Sequence, residues 1–223
     1  MNYNLINYDG YPLIEIDGGI YLIDTGAPSM CFSNKKTVNI NGNIFNLNPA
    51  FGVRILTESE MFKTFGRVID GFIGIDIIRK FQIIEIDKIN NKVSFGVSHK
   101  PRTNETKMSN FQVKLKVNNF IVNGYLDTGA HILMVENHSI LNKNNYIGQV
   151  EETSNNGPFV LDKYYGIMKI GDIEKEVLML KKDPRMLGNR SDVYFGLDQI
   201  SEEYYVIDLK TNTFYFKWFK SLN

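Results

Sequence analysis

The tetrapeptide Asp24-Thr25-Gly26-Ala27 recurs as Asp127-Thr128-Gly129-Ala130, 103 residues later in a chain of 223. A repeat at that spacing divides the chain into two halves of about 100 residues, each the size of a small domain. The matches continue in order along both halves. Each tetrapeptide follows an apolar run, Tyr21-Leu22-Ile23 in the first half and Gly124-Tyr125-Leu126 in the second. Further on, Gly71-Phe72-Ile73-Gly74-Ile75-Asp76-Ile77 is echoed by Val193-Tyr194-Phe195-Gly196-Leu197-Asp198-Gln199. The halves close alike, with Ile84-Glu85-Ile86-Asp87-Lys88 against Tyr205-Val206-Ile207-Asp208-Leu209. Each closing run passes through an Asn-containing turn into an aromatic strand that ends at Phe95 or Phe216. Whatever one half folds into, the other must fold into as well.

Local patterning predicts that the repeated unit is made of strands. Leu13-Ile14-Glu15-Ile16-Asp17 and Phe111-Gln112-Val113-Lys114-Leu115-Lys116-Val117 alternate with period two, as half-buried strands do. Gly18-Gly19 is a hairpin signal between the first of these and Ile20-Tyr21-Leu22-Ile23. Helical periodicity is short: one helix is predicted over Glu58 to Phe65, and others after Asp76 and Asp198, which read as N-caps. The polar stretch from Ser98 to Asn110 has no apolar period and reads as a linker. The predicted organisation is an N-terminal lobe over 1–98, a linker over 99–109 and a C-terminal lobe over 110–223. The aromatic run from Phe214 to Phe219 alternates as a strand and is expected to join a sheet between the lobes.

At these residues the chain resembles the aspartic peptidases, the group that contains the pepsins and the retroviral proteases. The resemblance covers nearly the whole chain, as two retropepsin-like halves in one polypeptide. It implies an all-β, bilobal fold of two pseudo-symmetric β-barrel lobes with short helices. In that family each half supplies one Asp-Thr-Gly loop, and a later apolar-apolar-Gly segment threads behind it. Phe72-Ile73-Gly74 and Tyr194-Phe195-Gly196 fit that segment. The resemblance implies that Asp24 and Asp127 are catalytic and that the Thr25 and Thr128 hydroxyls bond across between the loops. Gly26, Ala27, Gly129 and Ala130 complete those loops.

The chemistry explains the residue types. Hydrolysing a peptide without a metal or a covalent intermediate takes an activated water and a proton donor. Two carboxyl groups about 3 Å apart cannot both ionise, so they share one proton and titrate as a pair. The ionised member acts as general base on the water while the protonated member polarises the carbonyl. Gly26 and Gly129 are expected to permit the tight turns that bring the carboxyls together. The expected activity is that of an aspartic endopeptidase acting on an extended protein or peptide substrate in the inter-lobe cleft. The alternative is a catalytically silent peptide-binding module of the same fold.

Three departures from the family carry information. Both loops end in Ala, where most pepsins place Ser or Thr. Without that hydroxyl donor the dyad is expected to titrate higher than in pepsin, giving a near-neutral optimum, and the expected cytoplasmic setting suits specific processing rather than bulk digestion. Pro28 and His131 stand where retroviral enzymes carry an Asp that contacts substrate backbone, so that contact is not carried over. Asp24 to Gly74 spans 50 residues and Asp127 to Gly196 spans 69, so the second half carries 19 more. Gly148 to Gly166 reads as a long hairpin in that excess, with Ser154-Asn155-Asn156-Gly157-Pro158 at its tip. The family closes such a flap over its substrate, and here the single flap is expected in the C-terminal half.

Composition excludes other classes. Lys plus Arg number 25 and Asp plus Glu number 25, so there is no basic excess to bind nucleic acid. No apolar run reaches the roughly 18 residues that a membrane span needs. His99, His131 and His138 lack metal-ligand spacing with any cysteine, so neither metal nor cofactor is expected. The single cysteine, Cys31, allows no internal disulfide and reads as a buried apolar residue. Without a signal-peptide pattern at the start, a cytoplasmic monomer is expected. The first core strand is read as opening at Leu13, and no inhibitory prosegment is expected before it.

Overall fold

The computed structural model describes residues 1–50, 55–154, 157–183, 191–197 and 203–217. The first half opens with β1 (Asn2–Tyr8), β2 (Tyr11–Ile16), β3 (Gly19–Asp24) and β4 (Met30–Cys31). It continues through β5 (Thr37–Ile40), β6 (Asn43–Asn46), β7 (Asn48–Pro49) and helix α1 (Glu58–Phe65). It closes with β8 (Gly71–Gly74), α2 (Ile75–Phe81), β9 (Ile83–Asp87) and β10 (Lys92–Phe95). The second half runs β11 (Asn104–Ser109), β12 (Gln112–Val117), β13 (Phe120–Leu126) and β14 (Leu133–Val135). Then come β15 (Tyr146–Ser154), β16 (Gly157–Ile170), β17 (Ile173–Lys181), β18 (Val193–Phe195), β19 (Tyr204–Asp208) and β20 (Thr213–Lys217).

The repeat read from the sequence is a repeat of strand pairings. In the first half β3 lies parallel to β8, β4 antiparallel to β8 and β4 parallel to β7. In the second half β13, β18, β14 and β17 repeat those three pairings with the same directions. The preceding hairpins match as well, β1–β2–β3 against β11–β12–β13. In the second half β16 bonds to both β17 and β12, which closes a barrel. The fold is therefore all-β and two-lobed, with two pseudo-symmetric halves.

A six-stranded antiparallel sheet joins the halves in the order β1, β10, β9, β19, β20, β11. The matched closing runs form its centre, where Ile86 pairs with Tyr205. The aromatic C-terminal run is β20 as far as Lys217; residues 218 and 219 lie outside the described residues. The chain crossing between halves is tied to this sheet by buried acids. The Glu85 carboxylate accepts from Ser98 Oγ (2.9 Å), the His99 N–H (2.6 Å) and the Lys100 N–H (3.1 Å). Lys100 pairs with Asp87 at 2.5 Å, and Arg102 with Asp208 at 3.0 Å. These pairs have water on one side only, so they are screened less than surface ion pairs.

Turn chemistry sets the hairpins. Asp9-Gly10, Asp17-Gly18 and Asn41-Gly42 each hold two positive φ angles, the two-residue turn whose twist suits paired strands. The β2–β3 turn thus centres on Asp17-Gly18, and Gly19 is already strand, one residue earlier than the Gly-Gly reading put it. Helix α1 has the predicted bounds because its ends are capped. Thr57 and Glu60 form a reciprocal capping box, and Gly66 closes the helix with φ 67°.

Two expectations need correction. The polar stretch 99–109 is not all linker, because β11 occupies Asn104–Ser109 between β20 and β12. Its outward side chains are polar, and only Met108 is buried, so no apolar period marks it. Asp76 is not an N-cap: Gly74 holds that position with no side-chain bond, and Asp76 sits in the first turn of α2. Its carboxylate instead accepts the Ser29 N–H at 2.7 Å. Asp198 lies outside the described residues.

Candidate active site

Each Asp-Thr-Gly loop begins where its apolar strand ends, β3 at Asp24 and β13 one residue before Asp127. The apolar-Gly strands lie directly alongside, with Asp24 in register with Gly74 and the Asp127 N–H donating to the Phe195 carbonyl at 3.1 Å. A side chain at Gly74 would strike the Ala27 carbonyl, and one at Gly196 the Ala130 carbonyl. That is why each threading segment ends in glycine.

The two loops grip each other through their threonines. Thr25 N–H donates to Thr128 Oγ1 at 2.9 Å, and Thr128 N–H donates to Thr25 Oγ1 at 3.0 Å. Each hydroxyl then donates onward to the opposite half, Thr25 to the Leu126 carbonyl (2.6 Å) and Thr128 to the Ile23 carbonyl (2.7 Å). Both threonines are buried, so every one of these four bonds replaces contact with water. The Asp24 carboxyl accepts the Gly26 N–H at 2.7 Å, and Asp127 accepts the Gly129 N–H at 3.0 Å.

Gly26 and Gly129 serve differently from the sequence expectation. Neither has a positive φ, so turn freedom is not what they provide. A Cβ on Gly26 would lie 2.6 Å from an Asp127 oxygen, and one on Gly129 the same distance from Asp24. The missing side chains are the space into which the opposite carboxyls fit. Each carboxyl thereby lies against the opposite loop, beside the other carboxyl.

Burial pushes both carboxyls above the ordinary aspartate range. For Asp24 the charge of Asp127 raises it further, against the Gly26 and Ala27 N–H groups that favour the anion. For Asp127 burial is opposed by the Gly129 N–H, by the bond from Asp24, by the Ala130 N–H and by the charge of Lys182.

Several residues at the site were not singled out from the sequence. Ser29 Oγ accepts the Gly74 N–H at 2.8 Å, bracing the threading strand against the first loop. Tyr125 sends its hydroxyl across to the Thr25 carbonyl at 2.7 Å. Tyr11 Oη lies 2.6 Å from His131 Nδ1, a second link between halves just beyond the Asp127 loop. Asp70 and Asp192 each accept a strand N–H, from Ile20 and Asn123 respectively, both at 2.9 Å. The last pair was readable, because each Asp stands four residues before its threading glycine.

The long hairpin is present in the second half. Strands β15 and β16 pair from Tyr146 with Tyr164 out to Ser154 with Gly157, and β16 continues to pair with β17. Of the expected tip, Asn155 and Asn156 lie outside the described residues, and Ser154, Gly157 and Pro158 are described in backbone only. Val150, Leu161 and Leu180 pack with Ile132 and Met134, which ties the hairpin's base to the segment leaving the Asp127 loop. Among the described residues no group of three or more potential ligands could hold a metal ion. No helix among them is long and apolar enough to cross a membrane.

No protein-family model matches this sequence, and no curated protein matches it. Among solved structures, a simian foamy virus (mac) protease is similar over 40% of this chain and 90% of its own, at 16% identity and a TM-score of 0.32. Basic 7S globulin from soybean is similar over 96% of this chain and 93% of its own, at 10% identity and a TM-score of 0.45. The chain's own geometry defines an all-β fold of two pseudo-symmetric halves in which two Asp-Thr-Gly loops meet.

The threonine grip yields a stability test. Thr25→Val removes one hydroxyl and strands two buried partners, the Leu126 carbonyl and the Thr128 N–H, which should cost about 2–5 kcal/mol. Thr25→Ser keeps the hydroxyl and should cost about 1 kcal/mol or less. Urea unfolding distinguishes them; equal stabilities for Val and Ser would contradict the grip.

Proposed function

We propose that this chain is an aspartic endopeptidase whose nucleophile is a water held between Asp24 and Asp127. One observation carries the reading: two carboxyls set side by side, each fitted against the glycine of the opposite loop and fixed by a loop N–H, with a grip that crosses between halves. A pair of acids that only stabilised a fold would be kept apart or matched with cations, since burying like charges together is costly. In the reaction, the ionised carboxyl takes a proton from water as the oxygen attacks the scissile carbonyl. The protonated carboxyl hydrogen-bonds the carbonyl oxygen, and a proton passes to the leaving amine as the C–N bond breaks.

The substrate lies extended between the halves, recognised through its backbone in the manner of an added strand. The β15–β16 hairpin is the flap that covers it. Support for this comes from the sheet itself, since β14, leaving the Asp127 loop, pairs with β17, and β17 with the hairpin. The first half carries only the four-residue strands β5 and β6 in the corresponding stretch.

The test is a broad peptide library with wild type, Asp24→Asn and Asp127→Asn. Wild type should cleave, and each variant should lose at least about a thousandfold in kcat/KM, the scale of removing a general base together with its charge. Because burial raises both carboxyls, the pH–rate profile should be bell-shaped with both limbs above the ordinary value near 4. A wild type that cuts nothing yet binds peptides as tightly as both variants would make the chain a silent binding module. A profile peaking below about pH 4 would contradict the burial argument.

The flap has its own readout. Removing residues 154–158 should leave thermal unfolding cooperative while sharply reducing turnover of a cleaved peptide. Undiminished turnover would show that the hairpin is an ordinary surface loop.

A further inference from the structure

The two halves differ most informatively at three superposed positions beside the aspartate loops. Strand register fixes the equivalences. Met30 pairs with Phe72 as Met134 pairs with Tyr194, so Phe72 and Tyr194 correspond. Cys31 pairs with Pro49 as Val135 pairs with Lys181, so the next residues, Ala50 and Lys182, correspond. The Phe32 N–H donates to Asp70 O as the Glu136 N–H donates to Asp192 O, so Phe32 and Glu136 correspond.

In the first half this trio is apolar. Phe32 meets the Phe72 ring edge-on at 4.8 Å, and Ala50 packs against the same cluster. In the second half the trio is polar and charged. Lys182 Nζ lies 4.4 Å from the centroid of the Tyr194 ring and 3.1 Å from Glu136 Oε2. The fold does not require a cation here, because Ala50 satisfies the same place in the repeat. Tyr194 immediately precedes Phe195, whose carbonyl takes the Asp127 N–H. The lysine thus stands on the Asp127 side of the dyad, with only alanine on the Asp24 side.

Its partner does not cancel it. The Lys182 side chain is 7% exposed and that of Glu136 is 45% exposed, so water screens the carboxylate far more than the ammonium. Of this ion pair, the ammonium is the member whose charge is felt at Asp127. Among the described residues, the ionisable groups around this cluster include Asp24 across the dyad, Tyr194 itself and, just beyond the Asp127 loop, His131, which is bonded to Tyr11. Asp192 is turned toward the Asn123 N–H and Asn137 Nδ2.

We infer that Lys182 is a positioning residue that breaks the symmetry of the pair, so that Asp127 carries the charge and acts as general base while Asp24 keeps the shared proton. This deepens the peptidase reading and rests on it, assigning each aspartate one role in the first step. The proton leaves water for Asp127, and the hydrogen bond to the scissile carbonyl comes from Asp24. The Lys182 charge acts on Asp127 in this direction, alongside the Gly129 N–H, the bond from Asp24 and the Ala130 N–H.

The test follows the carboxyl carbons of Asp24 and Asp127 by 13C NMR through a pH titration of the full chain. Signals are assigned with Asp24→Asn and Asp127→Asn, and the titration is repeated in Lys182→Met and Glu136→Gln. Methionine keeps the unbranched stem without the charge. In wild type the Asp127 carbon should respond at the first ionisation of the pair. Lys182→Met should move that ionisation up by about one pH unit, and Glu136→Gln should move it down. The acidic limb of kcat/KM should shift with it. An unmoved ionisation in Lys182→Met, or an Asp24 carbon that responds first in wild type, overturns the assignment. Should Lys182→Met not fold, Glu136→Gln alone decides, and the absence of a downward shift overturns it. The titration needs no substrate: a chain that titrates as described but cleaves nothing refutes the peptidase reading and leaves the charge placement standing.

Discussion

Two carboxyl groups buried against one another repel when both are charged, so a fold that holds them together must do so by other means. Here the means is the reciprocal threonine grip, in which each loop is both donor and acceptor to the other. Neither loop can satisfy its own buried N–H and hydroxyl, so each half completes the other. The glycines that follow the threonines then leave room for the opposite carboxyls. The six-stranded sheet between halves and the Glu85 anchor hold the two loops in register from behind.

Pseudo-symmetry is the consequence, and its failures are where function is placed. The strand pairings repeat almost completely, yet Leu22 is matched by Tyr125, whose hydroxyl reaches the Thr25 carbonyl. Ser29, which braces Gly74, is matched in register by Leu133, which has no hydroxyl and packs in the core instead. In the first half α1 and Tyr11 fill the apolar cluster beside the loop, with the Tyr11 and Phe65 rings edge-to-face at 5.0 Å. In the second half the corresponding region carries the hairpin and a lysine. One side of the site is packed shut, while the other is built from polar groups and a long two-stranded extension.

Much of this was legible in the sequence because repetition does not depend on knowing contacts. The duplicated Asp-Thr-Gly-Ala, the threading Phe-Ile-Gly and Tyr-Phe-Gly segments and the longer second half gave the fold, the paired acids and the hairpin's place. Helix α1 was legible because Thr57, Glu60 and Gly66 write its two ends. Strand β11 was hidden because its pairing is made by backbone while its side chains face water. Asp76 was misplaced because a carboxylate in a first helical turn and one at a cap look alike without the partner, here the Ser29 N–H. The Lys182 cluster could not be seen, since Glu136, Lys182 and Tyr194 are joined only by strand register. Gly26 and Gly129 were recognised as necessary for the wrong reason, because a close approach across halves leaves no local mark.

The central claim is that Asp24 and Asp127 share one proton in a buried interface, and the pH dependence of folding measures it without a substrate. Because burial raises both carboxyls, the native pair binds more protons than the unfolded chain between pH 4 or so and the raised values. Stability should therefore fall as pH rises through that range, by up to about 1.4 kcal/mol per pH unit for each extra proton held. In Asp24→Asn the amide donates to Asp127 in place of the proton at every pH, so the fall should be largely lost. Urea unfolding of the two proteins from pH 5 to about pH 9 compares them, other groups cancelling in the difference. A steep decline in wild type that flattens in Asp24→Asn is the expected result; parallel curves would mean that the two aspartates do not form a shared-proton pair.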